Sequence, residues 1–198
     1  YNFSLAPLLV YSLLFEDSKK ITKWSKNFPP AKKNNNYLNF IASHDGIGMR
    51  PIEGILNNKT KKKFFQRLKK NGGEFSFRKI QGKGKSVYEA NITLFNAFKT
   101  SNFDKKGKFG FQRYFAAHSI MMSFEGVPAI YFNSIFGNSN DNSKFIISGN
   151  KRDLNRYRWN KDKLENHLSD KSSKQRKYYK HILEMLNIRR KQKAFHPN

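Results

Sequence analysis

The chain comprises 198 residues without a cysteine, and its 39 Lys and Arg outweigh 14 Asp and Glu to give a formal charge of +25 at neutral pH. This length allows one domain or part of a larger one, and with 37% hydrophobic and 15% aromatic residues the chain is too rich in core-forming side chains to be disordered throughout. The lack of thiols excludes a disulfide framework and any thiolate-held zinc or iron–sulfur centre.

In chain order, Tyr1 to Ala6 reads as a short strand, and Pro7 suits the first turn of a helix running through Leu8, Leu9, Leu13 and Leu14. The apolar stretch Leu5 to Leu14 holds ten residues, against the roughly 20 that cross a bilayer, so no membrane partner is expected. It lacks the basic flank and small-residue cleavage site of a signal peptide, and a cytoplasmic location is the expectation. The start at Tyr1 rather than Met points to a longer chain, which leaves an upstream export signal open. Lys19 to Asn36, polar and carrying Pro29-Pro30, reads as a loop. Tyr37 to Ala42 is a second strand leading into Ser43-His44-Asp45-Gly46-Ile47-Gly48.

Lys59 to Lys70 carries Phe64, Phe65 and Leu68 at helical spacing, and Asn71-Gly72-Gly73 is its stop. Glu74 to Thr100 reads as an irregular insert with a turn at Gly82-Lys83-Gly84-Lys85. Phe111, Tyr114, Phe115, His118 and Met122 predict a buried helix, in which His118 is a packing residue. Ala129 to Phe132 is the third strand, and Tyr179, Ile182, Leu183 and Leu186 mark a closing amphipathic helix. His167, His181 and His196 stand alone without a second ligand at metal spacing, so no metal site is expected. Trp24 and Trp159 read as packing residues, with Trp159 and Asn140-Asp141 also near enough to Arg156 in sequence to shape a pocket rim.

Strands alternating with helices imply an α/β fold with a parallel sheet. Three strands do not close a barrel, so the chain is either a small open sheet or one segment of a (β/α)₈ barrel, which takes about 250 residues. In such barrels chemistry sits beyond the C-terminal ends of the strands, where His44-Asp45 and the polar run after Phe132 both lie. A carboxylate there binds sugar hydroxyls and offsets positive charge at a reacting carbon; the plain alternative is a strand-end Asp capping a turn. Gly46 and Gly48 permit tight turns beside a ligand.

The high charge also fits a basic nucleic-acid-binding module. Its Lys and Arg, however, run through nearly every segment, interleaved with Asn, as a solvated surface or a bias toward AT-rich codons produces. No recognisable nucleic-acid motif accompanies them, and no nucleic-acid partner is expected.

The run from Asn39 to Leu56, centred on His44-Asp45-Gly46-Ile47-Gly48, resembles the fourth signature region of the α-amylase superfamily, glycoside hydrolase family thirteen. It is most similar to the sucrose phosphorylase branch of sugar phosphorylases. Val87 to Asn91 resembles that branch's acceptor loop, Gly126 to Phe132 its eighth barrel strand, Lys151 to Arg156 the loop after it, and Ala194 to Pro197 the end of the last barrel helix. The resemblance implies a C-terminal segment of a (β/α)₈ TIM barrel, about strands 6 to 8. Residues 1–198 would then be a partial catalytic domain with an inserted acceptor-loop region at about 71–100.

The implied activity is retaining phosphorolysis of a small α-glucoside to α-glucose 1-phosphate, with inorganic phosphate as co-substrate and no cofactor. An Asp nucleophile and a Glu acid/base work across the anomeric carbon. Neither has a counterpart in this chain, so the isolated segment is expected to be inactive. By resemblance Asp45 is the transition-state stabiliser, His44 and Arg156 bind the glucosyl unit, and Tyr88 and Glu89 line the acceptor and phosphate side. Sucrose phosphorylases usually carry Gln where this chain has Glu89, and branch members act on glucosylglycerate, glucosylglycerol or sucrose 6′-phosphate. Arg78, Lys79, Lys83 and Lys85 favour an anionic acceptor or phosphate, unless they are plain surface charge. A hydrolase or transglucosidase of the same superfamily is the rival enzyme reading. The sequence assigns neither the acceptor nor an oligomeric state.

Overall fold

The computed structural model describes residues 1–82 and 84–195. Three extended segments lie side by side and parallel. Asn2 bridges Asn39, and β1 (Leu38–Asn39) pairs with β5 (Val127–Pro128) in the register Leu38 to Val127 and Asn39 to Pro128. The fully buried Asn39 side chain staples all three, accepting from Asn2 Nδ2 at 2.9 Å and donating to the Glu125 carbonyl at 2.8 Å.

Helix α1 (Leu5–Phe15) returns from the first segment and buries Leu5, Leu8, Leu9, Val10 and Leu14. It is apolar nearly all round, as suits a helix covered on several sides. It takes over Leu5 and Ala6 of the expected first strand, and with Phe3 and Ser4 in a turn that strand shrinks to the Asn2 bridge. A second helix, α2 (Lys19–Lys26), replaces part of the expected loop. Its few apolar residues suffice because they share one face, where Trp24 meets Phe28 and Phe124.

Helix α3 (Asn58–Lys70) forms where the spacing predicts it, capped by the Asn57 side chain accepting from Thr60 N at 2.8 Å. It buries Phe64 and Leu68 and stops at Gly72, whose φ is +91°. The insert is regular rather than irregular. β3 (Glu74–Ile80) and β4 (Gly84–Asn91) form an antiparallel hairpin with a bulge at Ser76/Phe77, joined on the far side of β4 by β2 (Ile47–Gly48). Lys83, part of the expected turn, lies outside the described residues.

Beyond the short helix α4 (Leu94–Ala97), α5 (Gly110–Ser123) buries Tyr114, Phe115, His118, Met121 and Met122. The third strand sits two residues earlier than expected. Phe132 instead begins the helical turn α6 (Phe132–Ile135), and α7 (Asn142–Ser148) follows. After a 3₁₀ turn at Lys151–Asn155 come α8 (Lys161–Ser169) and α9 (Lys174–Lys191). α9 packs through Tyr178 and Ile182, so Tyr178 rather than Tyr179 supplies its aromatic core contact. Ala194 and Phe195 lie in a closing 3₁₀ turn, while His196 and Pro197 fall outside the described residues. No helix of the described residues is long and apolar enough to cross a membrane.

His118 is 1% exposed. Its Nδ1 lies 2.9 Å from the Tyr114 carbonyl, and its buried Nε2 has no protein partner. Burial pushes its pKa down from 6.5 to about 4. The unfolded imidazole takes up a proton near 6.5 and the folded one only near 4. The neutral side chain's contribution is therefore fully present above pH 6.5 and is lost as the pH falls from there toward 4, by roughly 3 kcal/mol. Urea unfolding of the wild type and His118→Gln across this range isolates the effect as a difference in slope. Parallel stability profiles would contradict the assignment.

Candidate active site

The chain leaves β1 and turns at Ser43-His44-Asp45-Gly46, a turn closed by reciprocal backbone bonds between Ser43 and Gly46 at 3.3 and 3.1 Å. The Ser43 hydroxyl accepts from the Asp45 amide at 3.2 Å. β2 then pairs with β4, setting Ile47 opposite Ala90 and Gly48 opposite Glu89, and the Met49 amide donates to the Tyr88 carbonyl at 2.9 Å. Asn91, fully buried at the end of β4, donates from Nδ2 to the Asp45 carbonyl at 2.8 Å. The loop after β1 and the hairpin are thus stitched together, with the end of β4 away from the hairpin's turn reaching Asp45.

These segments wall a cleft of about 600 Å³ lined by Phe3, Phe40, Asp45, Arg50, Tyr88 and Glu89 among others. Of the two β4 residues that line it, Tyr88 is 40% exposed and Glu89 is 4% exposed. From the other side comes the 3₁₀ turn after α7. Arg156 Nη2 donates to Asp45 Oδ1 at 2.8 Å, and its Nε reaches the His44 carbonyl at 3.4 Å. His44 Nε2 lies 3.2 Å from the same Asp45 oxygen, with most of its ring in solvent. Asp45, Tyr88 and Glu89 therefore line the cleft, whereas His44 and Arg156 touch Asp45 from its rim.

Arg152 is one residue that sequence reasoning missed. Its Nη2 and Nε engage the two Glu89 oxygens at 2.5 and 3.2 Å, and its Nη1 lies 3.4 Å from Asp45 Oδ1. This bond to Glu89 raises the guanidinium's pKa above its ordinary value. Such a partner offsets the hydration that a buried carboxylate gives up. Arg152 lies in the 3₁₀ turn and Arg156 caps it, and no spacing in the sequence signals that both reach Asp45. Asp45 Oδ1 consequently has two guanidiniums and an imidazole within 3.4 Å.

The loop bearing Arg156 is braced from below. Lys144 Nζ donates to the Arg156 carbonyl at 2.9 Å and lies 3.2 Å from Asp153 Oδ1. The Asp153 carboxyl is held below the usual range first by a bond from Ser148 and then by Lys144. The Tyr131 hydroxyl and Asn133 Nδ2 both donate to the Asn155 carbonyl, at 2.8 and 3.3 Å. Burial chiefly raises the Tyr131 pKa, and the Asp45 charge adds to it.

Other expected rim residues lie elsewhere. Trp159 packs among Phe136, Tyr157 and His167, Asn140 bonds to Thr93 and Gly72, and Asp141 caps α7. Of the basic insert, Arg78 is paired with Glu53 at 2.8 Å, and Lys85 lines a separate shallow groove between the hairpin and α3. Lys83 lies outside the described residues. Among the described residues no cluster of His, Asp and Glu has the makings of a metal site.

No family model matches the sequence. Along its full length the chain is 33% identical to a glucosylglycerate phosphorylase of Allomeiothermus silvanus, of which it covers 36%, and 30% identical to one of Escherichia coli, of which it covers 35%. A sucrose phosphorylase of Bifidobacterium adolescentis is 22% identical over 85% of the chain and 33% of the relative. The fold matches a crystal structure of sucrose 6F-phosphate phosphorylase from Thermoanaerobacter thermosaccharolyticum with a TM-score of 0.80. That match has 21% identity and covers the whole chain and 37% of the solved one. The chain spans about a third of the length of the curated relatives it matches. It is accordingly a homologue of the glucosylglycerate and sucrose phosphorylases, matching a C-terminal stretch of their length and sharing the partial (β/α) barrel fold.

Proposed function

We propose that this chain forms the acceptor-side part of a retaining sugar phosphorylase that cleaves a small α-glucoside with inorganic phosphate and yields α-glucose 1-phosphate. The observation that carries the reading is Asp45. It is a carboxylate on the cleft wall whose Oδ1 has Arg156, Arg152 and His44 within ion-pair distance. Such a carboxylate, fixed in place before the substrate arrives, stabilises positive charge at an anomeric carbon without forming a bond to it.

Each chain-derived role follows from position. Asp45 takes sugar hydroxyls and faces the oxocarbenium-like centre. His44 and Arg156 orient Asp45 and border the same glucosyl unit. Tyr88 and Glu89 belong to the acceptor side, where the hairpin closes the cleft. The carboxylates that form and break bonds, an Asp and a Glu, come from other parts of the enzyme, so the 198-residue stretch by itself is expected to show no turnover.

The test offers the full-length enzyme glucosylglycerate, glucosylglycerol, sucrose and sucrose 6′-phosphate, each with and without phosphate. Glucose 1-phosphate released only with phosphate is the expected result, with glucosylglycerate the best substrate. Free glucose at the same rate in both conditions would favour the hydrolase alternative.

A further inference from the structure

A charge inventory of the cleft singles out one guanidinium. Three carboxylates line it, Asp45, Glu53 and Glu89, and each already holds a cation: Arg156 on Asp45, Arg78 on Glu53 and Arg152 on Glu89. Arg50 lines the same cleft, and no carboxylate of the described residues lies within ion-pair distance of it. It opens the 3₁₀ turn Arg50–Ile52, five positions beyond Asp45, and its side chain is exposed. Fully buried Met49 and Ile52 anchor that turn on either side. An anchored turn thus carries an exposed positive charge without a carboxylate partner in a cleft whose three carboxylates are each paired.

Resting on the phosphorylase reading, and deepening it, we propose that Arg50 is the specificity-determining residue of the acceptor side, pairing with the carboxylate of a glucosylated hydroxy acid. The chemistry fits. A planar guanidinium meets a carboxylate through two parallel hydrogen bonds. The three ion pairs around it carry no net charge to repel an incoming anion. The inference also relocates the anion-binding role from the insert, where Arg78 is spent on Glu53 and Lys85 faces another groove. The same guanidinium chemistry would hold inorganic phosphate, and the experiment separates the two anions.

Glucosylglycerate and glucosylglycerol differ on the acceptor by a carboxylate in place of a hydroxymethyl group, so they serve as the paired probes. In the full-length enzyme, Arg50→Gln is expected to raise KM for glucosylglycerate about 10- to 100-fold, with kcat held within about threefold. The same variant should change kcat/KM for glucosylglycerol less than about threefold. Arg50→Lys, which keeps the charge and loses the fork, should recover part of the loss.

Equal changes on both glucosides would overturn the assignment, and so would a raised KM for phosphate regardless of glucoside, which would make Arg50 the phosphate's residue instead. The wild type supplies the remaining distinction. If it releases glucose 1-phosphate from either glucoside and Arg50→Gln is indifferent to the carboxylate, this inference alone fails. If it releases none from any glucoside, the phosphorylase reading fails and takes this inference with it.

Discussion

Replacing Asp45 by asparagine in the full-length enzyme is expected to lower kcat about 100- to 1,000-fold while KM for the glucoside moves less than about fivefold. The amide keeps the shape and still accepts a bond from Arg156 through its oxygen, so the turn closed by Ser43 and Gly46 has no steric reason to shift. What disappears is the negative charge. A neutral glucoside in the ground state hardly notices that loss, whereas a ring carbon becoming cationic does, which places the penalty in kcat rather than in KM. Arg152 keeps Glu89 as a partner in the variant, so only Arg156 loses its counter-charge outright. Unfolding midpoints and the kinetics of both proteins, measured side by side, decide the point. A fall in kcat/KM carried wholly by KM would make Asp45 a binding residue and no more.

Where one element's own side chains decide its form, the sequence is readable. α3 shows it best, with Phe64 and Leu68 on one face, Asn57 capping and Gly72 stopping it. α5 and α9 follow the same logic of apolar residues at helical spacing. The parallel segments read well as to place and poorly as to extent. β1 and β5 are two residues each because parallel pairing is fixed by neighbours across the sheet and not by any local pattern. The hairpin hid for a different reason. Phe75 and Phe77 alternate with polar residues, but the bulge at Ser76/Phe77 and the run of basic residues toward the turn blur the period.

The site divides along the same line. Asp45, His44, Tyr88, Glu89 and Arg156 could be singled out because they sit in motifs, and the fold brings Asp45, Tyr88 and Glu89 to the cleft with His44 and Arg156 against Asp45. Arg152 and Arg50 were not, although both lie inside the quoted runs. Their meaning depends on which carboxylates are near in space, Glu89 for one and none for the other, and contacts between segments 63 residues apart leave no trace in composition or spacing.

The two glycines after Asp45 look alike in the sequence, and the fold separates them. Gly46 has φ +110°, and a Cβ there would stand 2.2 Å from the Ala90 carbonyl oxygen and 3.0 Å from Asn155 Nδ2. Gly48 has no such φ and would meet nothing within 4 Å. Gly46→Ala is therefore expected to destabilise the protein by roughly 3–5 kcal/mol, adding backbone strain to a clash that only main-chain movement relieves. Gly48→Ala should cost less than about 1 kcal/mol. The atoms a methyl at position 46 would displace belong to the neighbours of Glu89 and Arg156. Whatever Gly46→Ala protein folds should then have Asp45 shifted against its guanidiniums and lose turnover well beyond the fraction unfolded. Thermal unfolding of both variants with turnover per folded molecule tests this. Equal stability for the two alanine variants would mean that the Ser43-to-Gly46 turn does not need the close approach to Ala90 that now holds Asp45 in place.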